Sequence, residues 1–203
     1  MTNARHWSEQ LKALGACCAK AMDWAATMPD PQTAWAKCKH PDWMLWVVER
    51  LCSKFGSDGH RRVVLATCAC VRIVLPSVPH GEERPRKAIE LAEAWARHKQ
   101  DVTLMMVCKA GNAAYDVGSA IFTTSTAAVA ACPVYAAVIA CPAYAAAGAA
   151  GIAYADAVKI ASLAAAYMGP SDFNARCLRI IRHMLPDVPK WFEEHRKTGA
   201  INR

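Results

Sequence analysis

Arg84 and Arg86 stand on either side of Pro85, directly after Glu82 and Glu83. A guanidinium is a planar fork of donors that grips a carboxylate or phosphate through two parallel hydrogen bonds. Two such forks at a helix start could meet an acidic group on a partner, and a helix N-terminus itself favours negative charge. Glu90, about two turns further on, adds an acceptor to the same stretch. A plainer reading covers the same residues: Arg84, Arg86 and Lys87 with Glu82 and Glu83 form the solvated rim of an amphipathic helix.

Other chemistry is sparse. The sequence contains no H-E-x-x-H, G-x-S-x-G, P-loop or G-x-G-x-x-G pattern. Ser57, Ser77 and Ser125 lie in no nucleophile setting. His80 is close to the Glu82–Glu83 pair and could act as a base, but neither a nucleophile nor oxyanion donors accompany it. An enzyme is therefore disfavoured, and no catalytic residue or cofactor is assigned. The ten cysteines show no C-x-x-C spacing and mostly lie among Ala, Val or Leu, as buried reduced thiols do. That usage points to a reducing, cytoplasmic setting. Cys38, His40, Cys52 and His60 match no ligand spacing, so no metal is expected.

The formal charge is +7, from 24 Lys and Arg against 17 Asp and Glu. This modest basic bias permits acidic partners. Arg176, Arg179 and Arg182 recur at i, i+3 and i+6, a basic stripe that could touch nucleic acid but more often marks a solvent face. Without a long block of like charges, nucleic acid is the least favoured partner.

The elements that must position these residues read as helices. Pro85 suits the first helical position, and Ala88, Ile89, Ala92, Trp95 and Ala96 form one apolar face of a helix over 85–98. Glu93 and Arg97 have the spacing and order of a surface ion pair. Upstream, the pattern predicts a helix over 7–26, a short one capped by Thr33, one over 43–55 capped by Asp42, and one over 60–75 begun by Ser57 or Asp58. The 43–55 segment is apolar nearly all round and should be central. Downstream, helices are expected over 102–115, 142–167, 171–185 and 190–197, with Pro186 to Pro189 as a hinge. From Val117 to Ala155 no residue is charged. This run is rich in Ala, Ser, Thr and Gly and cut by Pro133 and Pro142, so it reads as tightly packed small-residue helices, not as a membrane span. Within it, Ala131-Cys132-Pro133-Val134-Tyr135-Ala136-Ala137 is echoed by Ala140-Cys141-Pro142-Ala143-Tyr144-Ala145-Ala146, a local duplication. Met1 to Lys12 is polar, unlike a secretory leader. The expected architecture is all-α: one multi-helix bundle over 1–203 with an alanine-rich C-terminal half.

The segments Ala34-Trp35 through Cys38, Asp42-Trp43-Met44-Leu45-Trp46 with Leu51, Arg62-Val63-Val64-Leu65-Ala66, and Glu83-Arg84-Pro85-Arg86-Lys87-Ala88-Ile89-Glu90 with Trp95 are followed by the alanine-rich stretch. Together they resemble the Imm-5-like immunity protein family of bacteria and their phages, over roughly residues 34–167. The Glu83–Glu90 segment with Trp95 is the most specific part. The family's tail usually carries His and Arg among its alanines, and this chain departs from that. The resemblance implies an all-α protein that neutralises a toxin or a defence effector by binding it. On that view Glu83, Arg84, Arg86 and Glu90 make polar contacts, while Trp43, Trp46 and Trp95 hold the bundle behind them. A second reading is a phage sponge that sequesters a small anionic nucleotide signal at the Arg84–Arg86 fork; nucleic-acid binding is the third. Homo-oligomerisation is left open by the sequence.

Overall fold

A computed structural model describes residues 6–14, 18–51, 57–73, 75–77, 80–122 and 172–198. They form nine α-helices and a short 3-10 turn, with no strand among the described residues. The helices are α1 (Trp7–Ala13), α2 (Ala19–Ala26), α3 (Pro31–Lys37), α4 (Pro41–Leu51) and α5 (Asp58–Arg72). After the 3-10 turn at Leu75–Ser77 come α6 (Arg84–Ala96), α7 (Leu104–Phe122), α8 (Phe173–Met184) and α9 (Val188–Thr198). The all-α expectation holds. The proposed helix over 142–167 and the duplicated Cys-Pro motif lie outside the described residues, as do residues 123–155 of the uncharged run.

Several boundaries differ from the sequence reading, each for a local reason. The stretch 7–26 is two helices, with Leu14 closing α1 and Cys18, in extended conformation, opening α2. Gly15 falls between them in the sequence, and glycine disfavours a helix interior by about 1 kcal/mol. Asp30, not Thr33, caps α3: its carboxylate accepts the Thr33 N–H at 2.6 Å and the Thr33 hydroxyl at 2.9 Å. A cap acts on donors three residues ahead, so Thr33 is the residue served. Likewise α4 starts at Pro41, with the His40 carbonyl taking the Met44 N–H, and Asp42 lies inside the first turn. Proline lacks the N–H that a first helical position leaves unpaired. Ser57 does cap α5, accepting the His60 N–H. The helix expected over 102–115 begins at Leu104, because Thr103 accepts the Met106 N–H, and it continues to Phe122.

Helix α5 packs against α4, α6 and α8, so the core is built around it. Val63, Val64, Cys68, Cys70 and Val71 of α5 have no exposure, and Leu45, Val48, Ile89, Cys177 and Ile181 meet them from the neighbouring helices in one cluster. Between α6 and α7 the fully buried pair Ala88 and Ala114 lets two helices approach closely. Helix α4 also touches α8 and α9, in keeping with its nearly all-round apolar character. None of the helices in the described residues is long and apolar enough to cross a membrane.

Candidate functional site

Glu83 occupies the N-cap position of α6 without a side-chain capping bond, Arg84 is the first helical residue and Pro85 the second. This places Glu83, Arg84, Arg86, Lys87 and Glu90 on the exposed side, while Pro85, Ala88, Ile89 and Ala92 turn inward. The guanidiniums are not bare. Arg84 donates from Nε and Nη2 to the two oxygens of Glu82, at 2.8 and 2.5 Å, and its backbone N–H donates to the same carboxylate. These bonds from Arg84 hold the Glu82 carboxyl below its ordinary range. Arg86 pairs with Glu83 at 3.2 Å. The two arginine side chains nevertheless remain 54% and 51% exposed. The result is a surface of alternating sign whose charged groups are already oriented by their neighbours, not an open fork.

The tryptophans named with this patch lie elsewhere. Trp95, on the same helix, is buried: the Arg61 guanidinium lies 4.2 Å from its ring centre and donates to its carbonyl, and His60 meets it edge-on. Trp46 is buried in α4, with Arg50 over its ring. Trp43, half-buried, stacks on His40 at 3.9 Å and tilts against Trp24. The structure therefore places Glu83, Arg84, Arg86 and Glu90 on the exposed side of α6, with Trp95 buried on the same helix and Trp43 and Trp46 on α4.

The expected Glu93–Arg97 pair is present, but sequence reasoning missed its partner. Arg72 of α5 grips Glu93 through both oxygens, at 2.6 and 3.1 Å, and Arg97 adds a third bond at 3.1 Å. Glu93 is only 9% exposed. Burial pushes its carboxyl up, but the bonds from Arg72 and Arg97 outweigh this and leave it below its ordinary value. The basic stripe also changes meaning. Arg182 donates to the carbonyls of Trp35 and Cys38, closing the end of α3, whereas Arg176 and Arg179 are exposed. Arg62 acts similarly at the end of α8, donating to the Met184 carbonyl from two nitrogens. An arginine on a helix face carries no sequence mark that tells a carbonyl clamp from a solvated charge.

Cys38 donates to the His40 carbonyl, and burial pushes its thiol up to about 11. Cys52 lies outside the described residues. Among the described residues no three His, Cys, Asp or Glu side chains gather as metal ligands do.

A feature without any sequence signature is a half-open cavity of about 70 Å³ lined by residues of α1, α2, α3, α4 and α9. Trp7, Trp24, Trp35, Trp43 and Trp46 all line it. The indole N–H of Trp7 donates to the Met28 carbonyl, while that of Trp35 is buried without a partner. Beside it, an open groove is lined by Asp30, Gln32, Lys190, Glu193 and Glu194, and shares Pro31 and Pro189 with the cavity. No protein family, curated protein or solved structure matches this chain.

Proposed function

We propose that this chain is a non-enzymatic binding protein that neutralises a toxin or a host-defence effector, with the N-terminal half of α6 as its contact surface. One observation carries the reading: Arg84 and Arg86 are each tied to a neighbouring glutamate yet half exposed. Side chains held in place lose little freedom on association, so a mixed-charge surface of this kind suits a protein face of complementary pattern. The resemblance of the Glu83–Glu90 segment to immunity proteins points the same way. A small anionic nucleotide is less well served, since it would have to displace the Glu82 carboxylate from Arg84, and neither Arg84 nor Arg86 lines the cavity or the groove.

The test is a charge reversal, Arg84→Glu with Arg86→Glu, compared with Arg176→Glu as a control on a different helix. Each is used in capture from host lysate and in rescue of cells expressing the captured toxin or effector. The double reversal should lose both capture and rescue with its helical circular dichroism intact, and the control should keep both. Full rescue by the double reversal, or no specific capture by the original chain, would overturn the reading. A thermal shift with any member of a nucleotide panel would move the assignment to the anionic signal instead.

A further inference from the structure

The sequence has no long block of like charges, yet folding joins two basic segments that lie far apart in the chain. On α8, Arg176, Arg179 and His183 are exposed and fall at i, i+3 and i+7, on one face of the helix. Arg182 borders that face and donates to the Trp35 and Cys38 carbonyls, at 3.2 and 2.6 Å. This clamp sets Lys39 and His40, both exposed, beside the C-terminal half of α8. The His40 imidazole lies against Trp43, with ring centres 3.9 Å apart and planes 19° from parallel. Trp43 thus covers one face of the imidazole while the residue stays exposed. Among the described residues, Arg176, Arg179 and Lys39 make no ion pair. The carboxylates nearest in the chain are Asp172, before Arg176, and Asp42, after His40, and neither pairs with any of the three.

We infer that this face of α8, with Lys39 and His40, forms a binding site for a single-stranded nucleic acid, its phosphates along Arg176, Arg179 and Lys39 and one base stacked on the open face of His40. Each part of the ligand follows from one part of the surface. Guanidinium and ammonium groups without a carboxylate partner neutralise phosphates and release their counterions. From Arg176 to His183 the helix advances about 10 Å, enough to follow a few phosphates of one strand. An imidazole already held flat by an indole is a ready platform for a base, and every base has a face to offer. A duplex keeps its bases stacked on one another and would leave His40 unused. A protein partner is less well matched. The exposed large apolar side chains among the described residues are Met105 and Met106, both on α7, so this face lacks the apolar anchors that dominate protein interfaces. Nucleic-acid interfaces are polar and positively charged instead.

Fluorescence anisotropy of the full chain with labelled oligothymidylate, over a series of salt concentrations at neutral pH, tests this. The dissociation constant at low salt should be on the order of ten micromolar, and the logarithm of the binding constant should fall with that of salt with a slope of about −2, as three neutralised phosphates give. The same sugar–phosphate chain without bases should bind at least about fivefold more weakly, the loss of one stacked base. His40→Ala should bring the same loss with the salt slope unchanged, and His40→Phe should restore the affinity. Arg176→Gln with Arg179→Gln should make the slope shallower by about 1. Arg84→Gln with Arg86→Gln removes the same charge from α6 and should leave the slope as it was. All these positions are exposed, and circular dichroism checks that each variant keeps its helices. No binding at low salt, equal binding of the base-free chain or of a duplex, or equal effects of the two arginine pairs would each overturn the inference. Equal binding of the base-free chain would turn the face into a general surface for acidic groups. The readout involves no protein partner, so failure of the contact proposed at α6 would leave it untouched.

Discussion

Glu93→Gln is the most informative single change in this fold. The glutamate is 9% exposed and is the common acceptor of Arg72 from α5 and of Arg97, the residue that closes α6, with three bonds between 2.6 and 3.1 Å. Glutamine keeps the shape but removes the charge, leaving two guanidiniums facing each other across a neutral amide. Breaking a fully buried ion pair costs about 3–5 kcal/mol. Here the Arg72 and Arg97 side chains are 35% and 55% exposed, so water takes over part of the lost interaction, and a cost of about 2 kcal/mol is expected. For a chain of this size that corresponds to a fall in Tm of about 4–8 °C. Urea denaturation followed by circular dichroism at neutral pH measures it, and a cycle with Arg72→Met isolates the pair. The pH dependence gives an independent check. Since the folded carboxyl sits below its ordinary value of 4.5, the unfolded chain takes up a proton first as acid is added. The contribution of Glu93 is therefore complete above about pH 4.5 and drains away as pH falls through the folded pKa. The gap between the original chain and Glu93→Gln should close over that acid window. A loss below about 0.5 kcal/mol, strictly additive effects at residues 72 and 93, or a gap constant with pH would refute the reasoning.

Two further outcomes follow from the described contacts. Arg182→Lys should cost about 1 kcal/mol and Arg182→Met about 2, because a single ammonium cannot reproduce the planar fork that meets the Trp35 and Cys38 carbonyls; equal stability of Lys and Arg in thermal melts would speak against a clamp. In native alkylation at mildly basic pH followed by peptide mass mapping, exposed Cys18 should be labelled well before Cys38, whose thiol burial holds at about 11, and before buried Cys68, Cys70 and Cys177. Labelling of Cys38 at the rate of Cys18 would contradict the packing of α3.

The helices were legible because alanine content and the 3.6-residue apolar period act locally. The face of α6 that buries Ala88, Ile89, Ala92 and Trp95 could be read directly, as could the Glu93–Arg97 pair. Boundaries were less legible, since a residue such as Thr33 can serve a cap or be served by one, and only the position of Pro31 decides between them. The exposed cluster of Glu83, Arg84, Arg86 and Glu90 was visible as a helix start, but its internal pairing was not, because rotamers decide which carboxylate a guanidinium meets. The Arg72–Glu93 bond, the Arg61–Trp95 contact and the five-tryptophan cavity join residues far apart in the chain, and no spacing rule reports such meetings. Arg182 shows the limit most clearly: its i, i+3, i+6 relation to Arg176 and Arg179 was correct geometry, yet one of the three turns to a neighbouring helix and the other two face solvent.

The clamp made by Arg182 ends on main-chain oxygens, at Trp35 and Cys38. A contact of this type asks nothing of the side chain at the accepting position, since every amino acid offers the same carbonyl. In a diverging lineage the arginine would be held while its opposite numbers drifted freely, and no correlated pair of substitutions would betray their proximity. One of the longest-range ties in this fold would thus be invisible to any method that infers neighbours from co-varying columns, and it would show up only as a solitary unchanging arginine.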